Sequence, residues 1–257
     1  GLYTETFNNN RTRGGPLTLN PAGYETTLSL SSDSRKDWVV SVGAGTFRFD
    51  PSYDWFTELS LELRLMPNLS FILSPLYQRT FEFAQYVDTY YDPTATNTYG
   101  SRYVFAELNQ QTLSASIRLN WTFTPHLSLQ LYVQPLISAG DYTNYKELSE
   151  PGTYDFMIYG TDSSTFDSET NTADPDGDGP AQPIKLDNPD FNVRSLRGNA
   201  VLRWEYLPGS VIYFVWTQTR SEAEEIGDFK FEESMTRMVA AEPDNIFMIK
   251  VTYWLNF

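Results

Sequence analysis

The chain has 257 residues, a formal net charge of −15, 16% aromatic residues and no cysteine. No apolar run approaches the roughly 18 residues that a membrane helix needs, so a transmembrane helix is excluded. Disulfides, thiolate metal sites and cysteine nucleophiles are excluded with it, and the acidic balance argues against nucleic acid, whose phosphates it would repel.

From Gly1 to Asn8 a short strand is expected, with Leu2, Tyr3 and Phe7 its apolar residues and Asn8-Asn9-Asn10 a loop. The start, Gly1-Leu2-Tyr3-Thr4, lacks the basic and apolar regions of an export signal, so any such signal is expected either to have been removed or to lie outside this sequence. Regular alternation begins at Tyr24, where Thr26, Leu28 and Leu30 oppose Thr27, Ser29 and Ser31, and Ser32 to Lys36 reads as a turn. Trp38, Val40, Val42 and Ala44 share one face of the next strand, which ends at Asp50-Pro51. Between Trp55 and Leu65, Leu59, Leu61, Leu63 and Leu65 oppose Glu58, Ser60, Glu62 and Arg64. After the Pro67-Asn68 turn a strand carries Leu69, Phe71, Leu73 and Tyr77 toward Tyr90, and Asp92 to Gly100 is a loop. The clearest strand follows, with Leu113, Ala115, Ile117, Leu119, Trp121 and Phe123 against Ser114, Ser116, Arg118, Asn120 and Thr122.

Pro125-His126 turns the chain, and Leu127, Leu129, Leu131 and Val133 then alternate with Ser128, Gln130, Tyr132 and Gln134. Residues 147–190 are acidic and rich in Thr, Ser, Gly and Pro, and are expected to form a long loop. A strand from Phe191 sets Leu202, Trp204 and Tyr206 against Arg203 and Glu205. Val211 to Gln218, beyond Pro208-Gly209, is too uniformly apolar for its faces to be assigned, and residues 221–244 are expected to form a second charged loop. The last stretch, Asn245 to Phe257, places Phe247, Ile249, Val251, Tyr253, Leu255 and Phe257 on one face and Met248, Lys250, Thr252, Trp254 and Asn256 on the other, mostly polar face.

One face apolar and the other carrying charge, strand after strand, is the pattern of an antiparallel transmembrane β-barrel whose outward residues meet lipid. About ten strands are expected, an even number compatible with closure. Short turns alternate with long connections, which assigns 147–190 and 221–244 to the outside of the cell and the chain end to the periplasm. A terminal Phe after alternating apolar residues is similar to the C-terminal assembly signal of outer-membrane barrels, so barrel assembly machinery is an expected partner beside outer-membrane lipid. Trp38, Trp55, Trp121, Trp204 and Tyr206 near strand ends suit interfacial girdles.

Several stretches resemble a bacterial family whose members carry an N-terminal module similar to family 9 carbohydrate-binding modules, followed by a C-terminal outer-membrane barrel of unknown function. The most specific are Asp174-Pro175-Asp176-Gly177-Asp178-Gly179-Pro180, Ser195 to Tyr206, and Lys250-Val251-Thr252-Tyr253-Trp254-Leu255, with support from Arg13-Gly14-Gly15-Pro16-Leu17 and Arg102-Tyr103-Val104-Phe105-Ala106. The likeness runs from about Arg13 to the end and corresponds to the C-terminal part of family members, which implies a larger barrel with the carbohydrate-binding-like module outside this sequence. It also implies a role in surface glycan binding or uptake.

Asp174, Asp176 and Asp178 before Gly179 have the spacing of the first half of a calcium loop. Lys185 stands where an EF-hand would supply its bidentate Glu, so two readings remain: a looser calcium site completed by Asp187 or Asp190, and a solvated acidic turn. His126, the only histidine, lies in a turn and suits no general base, and Glu58 and Glu62 are separated by roughly 13 Å along one strand, too far for a glycosidase pair. The expectation is therefore a protein without catalytic residues. Glu58, Glu62, Arg64, Arg118, Arg203, Glu205 and Lys250 are expected to face the lumen, either lining a pore or neutralising one another in a packed interior. The alternatives are a structural anchor or assembly component, and a soluble β-sandwich lectin.

Overall fold

The computed structural model describes residues 1–255, and the expected terminal Phe257 signal, together with Asn256, lies outside the described residues. Nine long strands follow one another: β1 (Gly23–Ser31), β2 (Trp38–Phe49), β3 (Ser52–Met66), β4 (Leu69–Tyr91), β5 (Ser101–Thr124), β6 (Leu127–Leu148), β7 (Phe191–Leu207), β8 (Ser210–Glu224) and β9 (Asp244–Thr252). Each pairs antiparallel with the next, and with the short strands Leu2–Tyr3 on β1 and Phe156–Ile158 on β6 they form one 11-stranded sheet. The all-β antiparallel expectation holds.

Register carries the alternation of single strands across the whole sheet. Trp38, Leu63, Phe71, Leu119, Leu131, Ala200, Trp216 and Phe247 are successive cross-strand partners, so eight neighbouring strands present one unbroken apolar row. One residue away lies the row Val39, Glu62, Ile72, Arg118, Tyr132, Asn199, Thr217 and Ile246, on the opposite face and mostly polar. Because side chains alternate with period two, a slip of one residue in any ladder would exchange the faces. No slip occurs through these rows. Along this row Trp38 is 59%, Trp216 42% and Phe247 75% exposed, and Leu63, Phe71, Leu119, Leu131 and Ala200 are half-buried among their neighbours. No second sheet covers it among the described residues, as the inner face of a β-sandwich would require.

Closure departs from expectation. The sheet path ends on Leu2–Tyr3 at one side and on β9 at the other, and the two do not pair. The edge strand Leu2–Tyr3 runs antiparallel to its neighbour β1 and so in the sense that could pair with β9, but at two residues it offers almost no ladder to do so. The tenth strand of the expected count is the stub Leu2–Tyr3, because the apolar residues of the Gly1 to Asn8 stretch are divided between it and the separate pair Thr6–Asn8 with Thr18–Asn20.

Both expected loops contain regular structure. Residues 149–190 include a three-stranded sheet of Thr165–Asp167, Thr172–Asp174 and Ile184–Lys185, and 225–243 include the helix α1 (Phe231–Ala240). β6 and β8 also run on to Leu148 and Glu224, beyond the sequence-based ends. The missed elements are short and polar, and are stabilised by tertiary contact rather than by a legible period. The upper parts of β4, β5 and β6 rise past their neighbours and form the core of a surface lobe. On one side Val104, Ala106 and Tyr145 bury Ala173 and Ile184 of the small sheet and Leu186 just after it. On the other, Ala84, Phe105 and Leu148 are covered by Tyr154 and Phe156.

Candidate functional site

The seven predicted lumen charges all fall on the polar face, but they do not gather. Near the short turns, Arg64 donates from Nε to Glu62 at 2.9 Å and from Nη1 to the carbonyls of Ser34 and Lys36, tying the 32–37 turn to β3. Arg203 bonds Glu205 at 3.0 Å, and Glu205 accepts the N–H of Gly209 in the next turn. His126 lies 3.9 Å from the same carboxylate. Farther along, the Arg118 guanidinium sits 5.2 Å from the Tyr132 ring centre and the Lys250 ammonium 6.0 Å from that of Tyr213. Glu58 faces Gly43, where a Cβ would come within 2.4 Å of its carboxylate. Charges of this face therefore satisfy turns and aromatic rings locally. A cavity of about 620 Å³ opens at the turn end, with Glu62, Arg64, Asn68 and Asn120 in its lining.

Arg197 and Asp54 are among the charged residues on this face that escaped the sequence reading. Arg197 pairs with Gln134 and Thr219, and Asp54 accepts bonds from Gln78 at 2.7 Å and from Thr80. Both stand in strand portions where the alternation had not yet become regular, and only register places them.

The surface lobe holds the most buried polar chemistry. Arg102, 8% exposed, bonds Asp92 through Nε at 2.6 Å and Glu147 through Nη1 at 2.5 Å, and the Tyr159 hydroxyl donates to the other oxygen of Glu147 at 2.9 Å. Burial alone would raise the Asp92 carboxyl, but bonds from Arg102 and Thr94 outweigh it and hold the group below the usual carboxylate range. Lys146 is fully buried, with Nζ 3.0 Å from Glu107 and 3.4 Å from the Phe83 ring centre. Desolvation pushes its ammonium down in pKa, partly opposed by Glu107. These groups link β4, β5 and β6 to the crossover segment and make the lobe one polar-stapled unit.

A cleft of about 510 Å³ opens in the same lobe, lined by Tyr142, Asn144, Phe166, Asn171, Asn188 and Asp190 among others. Asp190 accepts the Tyr142 backbone N–H at 2.7 Å, and burial raises its carboxyl pKa despite that bond. Tyr145 and Phe166 form the aromatic wall, with ring centres 5.4 Å apart. Aromatic faces beside amide and carboxylate groups can stack on and hydrogen-bond a polar ring compound.

The proposed calcium ligands do not converge. Asp174 Oδ1 accepts the N–H of Gly177 at 3.0 Å, Asp176 Oδ2 accepts that of Ala181 at 3.1 Å, and Asp178 is exposed. The alternate spacing serves a tight turn whose Gly177 has φ +63°. Among the described residues no three acidic or histidine side chains are grouped as a metal site, Asp187 and Asp190 included.

No helix among the described residues is long and apolar enough to cross a membrane. No curated protein and no solved structure matches the chain. One family model matches residues 3–257, and thus both the sheet and its surface lobe, and no match shows a carbohydrate-binding module. The chain belongs to the family described as a domain of unknown function, DUF5916.

Proposed function

We propose that the chain is the wall and surface lobe of an outer-membrane β-barrel of a Gram-negative bacterium, serving surface glycan binding or uptake. The observation that carries the membrane reading is the apolar row crossing eight strands with no second sheet over it, backed by a mostly polar row. Exposing so much contiguous apolar surface to water is unfavourable at about 25 cal/mol per Å², whereas lipid accepts it without penalty. In this orientation the polar face lines the lumen, and the lobe stands outside the cell. Further strands close the sheet between β1 and β9, and outer-membrane assembly machinery inserts it.

The glycan part is supported by the aromatic and amide cleft of the lobe and by the resemblance to proteins with a family 9 carbohydrate-binding-like module. The test is conductance of the full-length protein in a planar bilayer with oligosaccharide titrated on the lobe side. A steady current blocked by glycan is expected. A silent, glycan-indifferent barrel would overturn the uptake reading in favour of an anchor, and release from membranes by carbonate without detergent would overturn the membrane reading itself.

A further inference from the structure

We infer that α1 is an interfacial helix whose lower side rests in the outer leaflet of the membrane, so that the wall carries a lipid-embedded collar at its outer rim. The inference rests on the membrane reading above, but concerns residues outside the strands.

Arg194 of β7 is a cross-strand partner of Ile137 and Glu222, and Ile137 of Leu113, so Arg194 belongs to the apolar, outward face. Yet it is only 2% exposed, and Ile137 only 1%. What covers this patch is α1, which packs across β7, β8 and β6 with Ser234 and Met238 buried beneath it. The helix therefore lies outside the wall and crosswise to the strands, where the apolar band gives way to charge.

Its rotation about its own axis is set by two arginines. Arg237 reaches Glu222 and Glu224, the outermost acidic residues of β8, both of which also hold Arg194. Arg220, lower on the same face of β8, donates from Nη1 to the carbonyls of Val239 and Ala241 at the helix end. At 100° per residue, Ser234 and Met238 point to the wall, and Arg237 and Glu233 flank them on the upper side. The opposite flank is Phe231, Met235 and Val239, spaced i, i+4, i+8, and it points down toward the level of Arg220 and Trp216. Phe231 is 49% and Val239 56% exposed, large values for apolar side chains on an otherwise anchored helix. The remaining side, Glu232, Thr236 and Ala240, is exposed to water. An amphipathic helix held parallel to the membrane plane with an apolar lower flank matches the geometry of interfacial helices, which sink by roughly 5–10 Å at the headgroup boundary. Below the flank come Arg220 with its partner Leu196 and then the row of Gly198, Gln218 and Asn245, and the apolar band begins at the next row with Ala200, Trp216 and Phe247.

Because residues 1–257 contain no cysteine, single cysteines placed there report without background from this region, and any cysteine elsewhere in the full-length protein is replaced by serine. Nitroxide labels would be placed at Phe231→Cys and Val239→Cys, with Thr236→Cys as the water-facing control and Ile249→Cys as the wall control, in the full-length protein in lipid vesicles. Oxygen and a water-soluble nickel chelate are used as relaxing agents. Labels at 231 and 239 are expected to favour oxygen by several-fold relative to the label at 236, approaching the label at 249. Aqueous behaviour at 231 and 239 with a lipid signature at 249 would overturn the collar and leave the barrel standing. Aqueous behaviour at 249 as well would overturn both.

Discussion

An arginine on the outward face should cost far more than one on the inward face a single residue away. Leu131 lies on β6 between Leu119 and Ala200, and its neighbour Gln130 lies on the polar face between Asn120 and Val201. Leu131 is five residues past His126 in the short turn. At about 3.3 Å per residue and a strand tilt of about 40°, it stands roughly 12–13 Å into an apolar band about 25 Å tall, close to its middle. Leu131→Arg should therefore destabilise by about 2–4 kcal/mol, a roughly 30- to 900-fold fall in the folded-to-unfolded ratio. Phe123→Arg, next to the turn, should cost only about 0–1 kcal/mol, and Gln130→Arg, on the polar face that the proposed barrel turns inward, a similarly small amount. The assay is urea unfolding in thin-bilayer vesicles, followed by tryptophan fluorescence and by gel mobility without boiling. Equal penalties at 130 and 131, or no depth dependence between 123 and 131, would refute the assignment of the apolar face to lipid.

Arg102→Met would leave Asp92 and Glu147 buried without their cation, at a cost of about 3–5 kcal/mol, and should appear as faster limited proteolysis of the 92–100 and 149–160 connections while the membrane strands stay protected. Ser234→Ala should leave α1 as well protected or slightly better protected in hydrogen exchange, since its buried Oγ has no partner and alanine favours the helix, whereas Met238→Ala should lose about 2–5 kcal/mol of docking. The bond from Arg237 holds the Glu222 carboxyl below its ordinary range, and that from Arg194 does the same for Glu224. A depressed folded-state pKa contributes stability that is complete above the unfolded value of about 4.3 and is lost as pH falls through the folded value, so exchange protection of α1 should hold at neutral pH and decline in acid below about pH 4. Gly227→Ala should loosen the N-terminal approach to α1, since a Cβ there would come within 2.6 Å of the Asp141 Cα and 2.8 Å of the Gly140 carbonyl oxygen, and labelling of a cysteine at Ile226 would report the change as a higher rate.

What the sequence by itself determined is the two-faced wall. Period-two alternation in residues 113–123 and 59–65 specifies which side chains share a face, because a strand has no other way to dispose them, and the short Pro-containing turns at 67, 125 and 208 specify antiparallel neighbours. The charges Glu58 through Lys250 were assignable to the polar face for the same reason. Only the tertiary structure decided how those charges pair, because Arg64 finds Ser34 and Lys36 across a turn and Arg118 finds a ring on another strand. It alone decided that the Asp174 to Asp178 run closes on its own backbone, where spacing could not tell a ligand from a turn cap. The surface lobe and α1 were equally out of reach of periodicity. Their cores are drawn from residues as far apart as Val104 and Ile184, and α1 is rotated by Arg220, Glu222 and Glu224 of a neighbouring strand, so the information that shapes them exists only once the sheet has brought those positions together.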